Sequence, residues 1–455
     1  MFGPAYIKEY KTNFKLAYPV ILGQIGHMAT QIADSIMVGS LGAEVLAASS
    51  YAGMLFLVIL LTLIGLATAL TTLVGKARGE GSDEAVVQIL GNSFWAALFF
   101  SALSVAASLL ARPLLYHLGQ EPEVVDIALP YYSILCWSAI PLIVFLSLKH
   151  FIEGLEWTKP GMVVSILANG INILLNYILI YGKLGFNAYG IEGAGYATLI
   201  SRVFMAIALV LLVLSHSRLS PYKRALIHFK WSIKRLKELF TIGIPIGLQY
   251  LLEGGAFIAG TIIVGWLGAA HLAAHQIALS VSSFTYMFAM GLGATATIRI
   301  SNLSGAGKIA QLKIVSYSLL VMMIVVESAF VIAIIALQKV LPGFYVDEPD
   351  VILIAGKLLV IAAFFQLSDG IQVLAMSALR GLSDVKIPTW IALLAYWVIS
   401  IPVGYFIMEY SPHLSKGIWF GFLIGLSIAA VLLTLRYKLL LARLEQSVSV
   451  ENKHP

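Results

Sequence analysis

Three acidic residues lie inside long apolar stretches of the chain. Asp34, Glu253 and Asp369 each fall within a stretch that is long enough and apolar enough to cross a membrane. A charged side chain costs at least about 2.5–3.5 kcal/mol at the centre of a bilayer, so an acid kept there needs a reason. A carboxylate can bind a proton or a hard cation and loses its negative charge in doing so. We therefore predict that the three acids bind a coupling ion. The alternative is a structural hydrogen bond inside a helix bundle.

Two asparagines and a threonine accompany Asp34. Asn172 and Asn176 are four residues apart, which places them on one face of a helix, and Thr198 lies in the next apolar stretch. Together with Asp34 they offer four oxygen-bearing side chains of the kind that a hard cation prefers. The alternative is that the asparagines join helices by hydrogen bonds to each other. The residues alone leave both interpretations open.

The composition identifies lipid as the solvent of most of the chain. Of the 455 residues, 60% are hydrophobic and only 11% are charged, whereas soluble proteins carry about 25% charged residues. A spanning helix needs about 20 residues. Twelve such stretches occur, at about 14–38, 50–75, 91–111, 128–150, 161–182, 191–215, 239–266, 276–300, 315–338, 352–376, 387–408 and 417–438. The sequence predicts an all-α polytopic membrane protein with twelve transmembrane helices.

Basic residues indicate how the chain is oriented. With the N-terminus inside, 22 Lys and Arg residues fall on inner segments, four on outer loops and three within spans. Cytoplasmic loops are enriched in Lys and Arg, so both the N- and the C-terminus are predicted to be cytoplasmic. Arg202 and Arg299 lie near span ends, where we expect them to anchor helices at the membrane interface.

The second half of the chain repeats the first. The halves share short strings at a shift of 226 residues, including Pro19 with Pro245, Val38-Gly39 with Val264-Gly265, and Thr71 with Thr297. An even number of spans per half gives both halves the same orientation, so the repeats are parallel. We expect two pseudo-symmetric six-helix lobes, an architecture that suits alternating access. The predicted segments are an N-lobe at 1–215, a cytoplasmic linker at 216–238, a C-lobe at 239–440 and a short cytoplasmic tail at 441–455.

Missing motifs exclude several classes of protein. Gly75-Lys76 and Gly307-Lys308 lack the earlier glycine of a phosphate-binding loop, so we expect no nucleotide as the energy source. Motifs of zinc proteases, serine hydrolases and dinucleotide-binding enzymes do not occur in the sequence, so we expect neither an enzyme nor a cofactor. The net charge of +6 is explained by basic cytoplasmic loops, so no nucleic-acid partner is expected. The 39 glycines, many of them closely spaced, indicate tight helix packing.

Longer strings carry a resemblance to a known family. They are Pro19 with Asp34-Ser35-Ile36-Met37-Val38-Gly39, the second-half string Leu272-Ala273-Ala274-His275-Gln276, and Leu379-Arg380-Gly381-Leu382 with Asp384 and Pro388. In these strings, and over about residues 10–440, the chain resembles the multidrug and toxic compound extrusion (MATE) family in its bacterial NorM-like branch.

The resemblance implies a secondary active antiporter that exports organic cations in exchange for Na⁺ or H⁺. It implies cation or proton coupling in the N-lobe at Asp34, Asn172, Asn176 and Thr198, and cation or substrate binding in the C-lobe at Glu253 and Asp369. Na⁺ is a candidate occupant of either set. Some members carry a tyrosine where this chain has Phe365, which leaves one C-lobe ligand open.

The same resemblance implies partners and location. Cationic amphipathic drugs or dyes are the expected substrates, and the expected location is the bacterial inner membrane, with the protein crossing it many times as a monomer. Carboxylates serve Na⁺ and H⁺ equally, so the coupling ion stays open. The alternative function is a flippase for a lipid-linked oligosaccharide, from a related family with two lobes. Such a protein should line its cavity with basic residues for phosphate groups, whereas the charges in the middle of these spans are predominantly acidic.

Overall fold

The computed structural model describes residues 3–226, 228–411 and 414–451, and helices are the regular structure throughout that part of the chain. Their bounds are α1 Pro4–Gly39, α2 Ala43–Gly79, α3 Asp83–Leu110, α4 Pro122–Gly154, α5 Lys159–Tyr181, α6 Gly190–Ser215, α7 Ile233–Gly265, α8 Ala269–Gly305, α9 Ile309–Leu337, α10 Pro349–Gly381, α11 Lys386–Leu393, α12 Ile401–Tyr410 and α13 Lys416–Glu451. A π-helical segment, Leu394–Ser400, joins α11 to α12.

The α11 helix, the π-helical segment and α12 form one continuous helical segment. The described helices therefore make up twelve helical segments, which match the twelve predicted spans. Eleven of the twelve, all but α1, are long enough and apolar enough to cross a membrane within the described ranges. The remaining one, α1, carries the polar residues Gln24, His27, Gln31 and Asp34 in its second part. The predicted all-α polytopic fold is confirmed.

Helix bounds reproduce the sequence repeat. α2 and α8 begin at Ala43 and Ala269 and end at Gly79 and Gly305, a shift of 226 residues at both ends. The packing is repeated as well, since α2 lies against α4 in the first half and α8 lies against α10 in the second. Corresponding helices therefore pair in the same way in both halves, as expected after a duplication.

The helices form two compact units. One unit, here called the N-unit, spans Leu22–Gly247, and the other, the C-unit, holds the chain up to Ile21 and again from Leu248 onward. Both α1 and α7 are thus divided between units, shortly after Pro19 and Pro245 respectively. The lobe boundaries predicted at residues 215 and 239 differ from this division, because they assign each of these helices whole to one lobe.

A buried polar network holds the first part of α1 within the C-unit. Glu9 accepts hydrogen bonds from Arg299 Nη2 at 2.7 Å and from Gln311 Nε2 at 3.0 Å. Arg299 Nη1 donates to Asn13 Oδ1 at 3.1 Å, and Asn13 Nδ2 donates to Ser318 Oγ at 2.8 Å. Our prediction that Arg299 anchors a span end at the membrane interface is wrong, because this residue is 5% exposed and pairs with Glu9 inside the unit.

Glycines at four-residue intervals bring α13 close to its neighbours in the C-unit. Gly417, Gly421 and Gly425 lie on one face of α13. A Cβ atom at Gly421 would lie 2.6 Å from Gly404 Cα on α12, and one at Gly425 would lie 2.6 Å from the Ala395 carbonyl oxygen. Small residues allow two helix backbones to approach closely where lipid gives no hydrophobic driving force. The tight helix packing predicted from the glycine content is present here.

We expect Gly421→Ala to lower the thermal stability of the protein. The added methyl group would overlap the backbone of α12, and overpacking of this kind typically costs about 1–3 kcal/mol. Thermal unfolding in detergent measures the effect. Gly53→Ala in α2 is the matched control, because a Cβ atom there meets no neighbouring atom. Equal melting temperatures for both variants would contradict the close packing of α13.

Candidate functional site

In the N-unit, α1 and α5 bring together three of the four predicted side chains. Asn176 Nδ2 donates a hydrogen bond to Asp34 Oδ1 and also contacts Asn172 Oδ1 at 3.2 Å. Asn172 is 5% exposed and Asn176 is fully buried, whereas Asp34 is half-buried. The spacing of four residues in α5 does place both amides on the face that meets α1. Thr198 of α6 is half-buried and makes no hydrogen bond to this set within the described residues.

The orientation of Asn176 limits what the N-unit set can bind as it stands. Its amide nitrogen faces the carboxylate of Asp34, while its oxygen Oδ1 is buried without a hydrogen-bond partner in the described chain. A hard cation requires oxygen ligands, so Na⁺ at Asp34 would need the amide to turn by half a rotation. A proton on Asp34 needs no such change.

Arg202 also belongs to this part of the N-unit. Its guanidinium lies close enough to Asp34 and Tyr131 for their charges to interact. It donates to Ser138 Oγ at 2.6 Å and lies over the ring of Phe56, 5.1 Å from the centroid. Our prediction that Arg202 is an interfacial anchor is therefore wrong, since its partners are interior side chains of α2 and α4. The guanidinium offsets part of the charge of Asp34.

In the C-unit, Glu253 of α7 and Asp369 of α10 lie close enough for their charges to interact. Tyr286 of α8 donates a hydrogen bond to Glu253 Oε1 at 3.1 Å. Asp369 is 3% exposed, and its Oδ1 atom has no hydrogen-bond partner within the described structure. The structure thus brings the two predicted acids of the C-lobe into one neighbourhood and adds a tyrosine that the sequence did not single out.

A second tyrosine comes from the π-helical segment. Tyr396 is fully buried, and its hydroxyl is close enough to Glu253 and Asp369 to respond to their charges. π-helical turns are rare and often occur at functional sites. Phe365, the position at which the resemblance left a ligand open, packs against Phe257 and Trp419, with ring centroids 6.1 and 5.7 Å apart. In this chain phenol groups reach the acids from α8 and the π-helical segment rather than from residue 365.

Arg380 is a buried cation close to Glu253 in the C-unit. It is 6% exposed, and its Nε and Nη2 atoms donate to Gln249 Oε1 at 3.0 and 2.8 Å. Its Nη1 atom donates to the hydroxyl of Tyr250 at 3.1 Å, and the guanidinium lies 4.9 Å from the centre of that ring. Gln249 is one helical turn from Glu253, whose charge Arg380 also reaches. Arg380 therefore both fixes α7 against α10 and offsets charge at Glu253.

A fourth acid within a span escaped the sequence analysis. Glu327 of α9 is fully buried, and neither of its carboxyl oxygens has a hydrogen-bond partner among the described residues. The signal was present in the sequence, since Glu327 lies in the apolar stretch 315–338 between Val326 and Ser328. It has the same features that singled out the other three acids.

The arrangement of these acids suits protons and single cations. Within the described ranges, no three His, Cys, Asp or Glu side chains come together in a way that could hold a metal ion. The N-unit nevertheless offers a carboxylate beside amide oxygens, which fits Na⁺ in its donor types once Asn176 turns. The C-unit offers two interacting carboxyl groups beside phenols, which can hold a proton or an organic cation.

Comparisons with known proteins agree with the duplicated fold. The model of the family MatE matches residues 19–178 and again residues 245–406. A "Probable multidrug resistance protein NorM" of Xanthomonas axonopodis pv. citri (strain 306) is 30% identical over 451 residues, covering 98% of this chain and 97% of that protein. A protein of the same name from Pasteurella multocida (strain Pm70) is 33% identical over 444 residues, covering 95% of both chains.

Solved structures share the fold at lower sequence identity. A multidrug resistance MATE family transporter in an outward-facing conformation superposes with a TM-score of 0.90 at 21% identity, covering 96% of this chain and 97% of the other. A MATE structure in a bent conformation gives a TM-score of 0.89 at 20% identity, covering 99% and 100% of the two chains. The likeness extends over all twelve spans.

Proposed function

We propose that the chain, which belongs to the MatE family of multi-pass membrane transporters, is a secondary active antiporter. It exports organic cations, including drugs and dyes, in exchange for Na⁺ or H⁺ by alternating access. The observation that carries this proposal is the presence, in each unit, of a carboxylate inside the helices that is held by a polar side chain of another helix. Asn176 holds Asp34 in the N-unit, and Tyr286 holds Glu253 in the C-unit.

Exchange follows from the competition of two cations for the same negative charge. A carboxylate that binds a proton or Na⁺ loses its attraction for a cationic substrate, and the reverse holds with equal coupling free energy. A one-for-one exchange of a cationic substrate for Na⁺ or H⁺ moves no net charge, so the concentration gradient of the coupling ion drives it. Each further coupling ion that enters adds about 2.3 kcal/mol per 100 mV. No enzymatic step and no nucleotide are part of this mechanism.

The orientation of Asn176 favours H⁺ over Na⁺ at Asp34. The amide nitrogen of Asn176, not its oxygen, faces the carboxylate, whereas a hard metal cation requires oxygen ligands. A protonated carboxyl group keeps an oxygen that can accept this hydrogen bond. Both ions add one positive charge, so the nearby guanidinium of Arg202 disfavours them equally.

The oligosaccharide flippase is not favoured. Phosphate groups call for free cationic side chains, but the three arginines nearest the candidate acids or buried inside the C-unit already bond protein groups. Arg202 bonds Ser138, Arg299 pairs with Glu9, and Arg380 bonds Gln249. In the C-unit, buried oxygens of the acids Glu327 and Asp369 have no hydrogen-bond partner within the described chain.

Export of ethidium from proteoliposomes tests the proposal. The purified protein is reconstituted without nucleotide, and ethidium movement is followed by fluorescence under an imposed Na⁺ gradient and, separately, under an imposed H⁺ gradient. We expect export under one of them, and that gradient identifies the coupling ion. If folded protein moves no ethidium under either gradient, the antiporter proposal is wrong.

We expect Glu253→Gln and Asp369→Asn each to weaken gradient-driven export, and the double variant to weaken it further. Each change keeps the shape of the side chain and removes its charge, so the C-unit loses attraction for a cation. Initial rates of ethidium export under the effective gradient measure the effect. Ser328→Ala, a change of a half-buried polar side chain in α9, serves as a control. Wild-type export by the double variant would confine coupling to the N-unit.

A further inference from the structure

Glu327 is placed beside the C-unit acids by an unusual contact between α9 and α10. A Cβ atom at Gly370 would lie only 2.7 Å from Glu327 Cγ and 3.2 Å from its carboxyl carbon. Gly370 directly follows Asp369, and the glycine leaves the space that the Glu327 side chain fills. The carboxyl of Glu327 consequently lies close enough to Asp369 for their charges to interact.

The carboxyl oxygens around Glu327 are left without hydrogen-bond donors. Both oxygens of Glu327 and Oδ1 of Asp369 are buried acceptors without a partner in the described structure. One turn away on α10, Gln366 is 1% exposed and its amide nitrogen also lacks a partner. Buried polar groups are nearly always hydrogen-bonded, and an unpaired buried charge costs several kcal/mol. A proton on the carboxyl removes the charge and supplies a donor.

No neighbouring element supplies a counter-charge to Glu327. The group of α10 that lies near Glu327 is Asp369, which is itself an acid. On α8, the hydroxyl of Tyr286 donates its hydrogen bond to Glu253 and not to Glu327. On α8, Phe288 packs against Phe330 of α9 at 4.9 Å between ring centroids. On α13, Tyr437 forms its hydrogen bond with Ser316, which lies about three turns of α9 away from Glu327. Within the described residues, no basic side chain forms an ion pair with Glu327, and no metal-binding group of three ligands exists.

We propose that Glu327 is a proton-binding site of the C-unit, which holds a proton when no cation is bound and releases it when an organic cation binds beside Glu253 and Asp369. This inference rests on the function proposed above, because it assigns a proton to the cation site of that antiporter. On release, the O–H bond of the carboxyl group breaks, its electron pair stays on the carboxylate, and the proton passes to water. The bound cation then compensates the new negative charge.

Proton release on ethidium binding is the direct test. Purified wild-type protein in weakly buffered detergent solution is titrated with ethidium while a pH-indicator dye reports protons released. We expect Glu327→Gln to release fewer protons than the wild type. The ethidium affinity of Glu327→Gln should also depend less steeply on pH than that of the wild type. The difference is up to about tenfold per pH unit, because the exchange of one proton changes the binding constant by that factor for each pH unit. Glu327→Asp, which keeps a carboxyl group, should restore part of the release.

Two controls separate this inference from its alternatives. Ser328→Ala, next to Glu327 on α9, should match the wild type. If wild-type protein exports no ethidium under any gradient, the proposed function fails. If the wild type exports ethidium, but Glu327→Gln releases as many protons as the wild type and its ethidium affinity has the same pH dependence, only the Glu327 site is overturned. Should Glu327→Gln not fold, the infrared carbonyl band of protonated carboxyl groups is compared in wild type and Glu327→Asp. An ethidium-insensitive band in both proteins overturns the site.

Discussion

Asp34→Asn is expected to abolish gradient-driven export of ethidium while leaving the fold intact. The substituted amide has nearly the same shape and keeps an oxygen that can accept the hydrogen bond from Asn176 Nδ2. It is not protonated near neutral pH and carries no charge, so the coupling ion loses its binding group in the N-unit and its gradient cannot drive export. Export from proteoliposomes under the effective gradient measures the loss, and the melting temperature in detergent reports the fold.

Asp126→Asn is the matched control for this prediction. Asp126 is an exposed acid near the start of α4 that accepts a hydrogen bond from the hydroxyl of Tyr116. The Asp126→Asn variant should export ethidium like the wild type. Because Arg202 lies near Asp34, removal of the acid also leaves a buried guanidinium with less compensation. The double variant Asp34→Asn with Arg202→Gln separates the two effects. If it unfolds less readily than Asp34→Asn but still fails to export, the carboxylate itself is required. Wild-type export by Asp34→Asn would rule out the N-unit site.

The helical framework was predictable because it depends on local and periodic features of the sequence. Stretches of about 20 apolar residues can satisfy their backbone groups in lipid only as helices. The shift of 226 residues between halves, read from short strings, reappears in the bounds of α2 and α8. The division of α1 and α7 was not predictable, because the apolar pattern continues through Pro19 and Pro245. Which unit each part packs against depends on contacts with residues far away in the sequence.

The candidate site was predictable in part for a similar reason. The spacing of Asn172 and Asn176 follows from helix geometry, and their contact with Asp34 is what the structure contains. Tyr286 and Tyr396 could not be selected from among 20 tyrosines, since only the packing of α8 and of the π-helical segment brings them to the acids. That each set binds an ion, and which ion it is, stays a prediction.

The predictions from the sequence failed mainly at buried charged residues. An arginine near a span end has the same sequence context whether it anchors the helix or forms an internal ion pair, and Arg299 meets its partner Glu9 across 290 residues of chain. Glu327 was overlooked, although its apolar context equals that of Glu253. A charge within a span marked a special environment at Arg299 and at Glu327, but the partner, or the lack of one, required the structure.

Breaking the buried pair of Glu9 and Arg299 should cause a large loss of stability. Glu9→Gln removes the carboxylate that pairs with a guanidinium only 5% exposed. Removing one partner of a buried ion pair costs about 3–5 kcal/mol, because the other charge remains desolvated. We expect a clearly lower melting temperature, together with faster hydrogen exchange in the first part of α1, which the network holds within the C-unit.

An exposed ion pair of the same type provides the comparison. Arg224 and Glu84 lie 2.8 Å apart with side chains 61% and 64% exposed, and such pairs contribute about 0–1 kcal/mol. Glu84→Gln should therefore leave the melting temperature nearly unchanged. The double variant Glu9→Gln with Arg299→Met should regain part of the loss, since an apolar side chain no longer requires a counter-charge. Equal shifts for Glu9→Gln and Glu84→Gln would show that the buried network does not fix α1, and its first part would then have to be held by the apolar contacts of Ala17 and Ile21 alone.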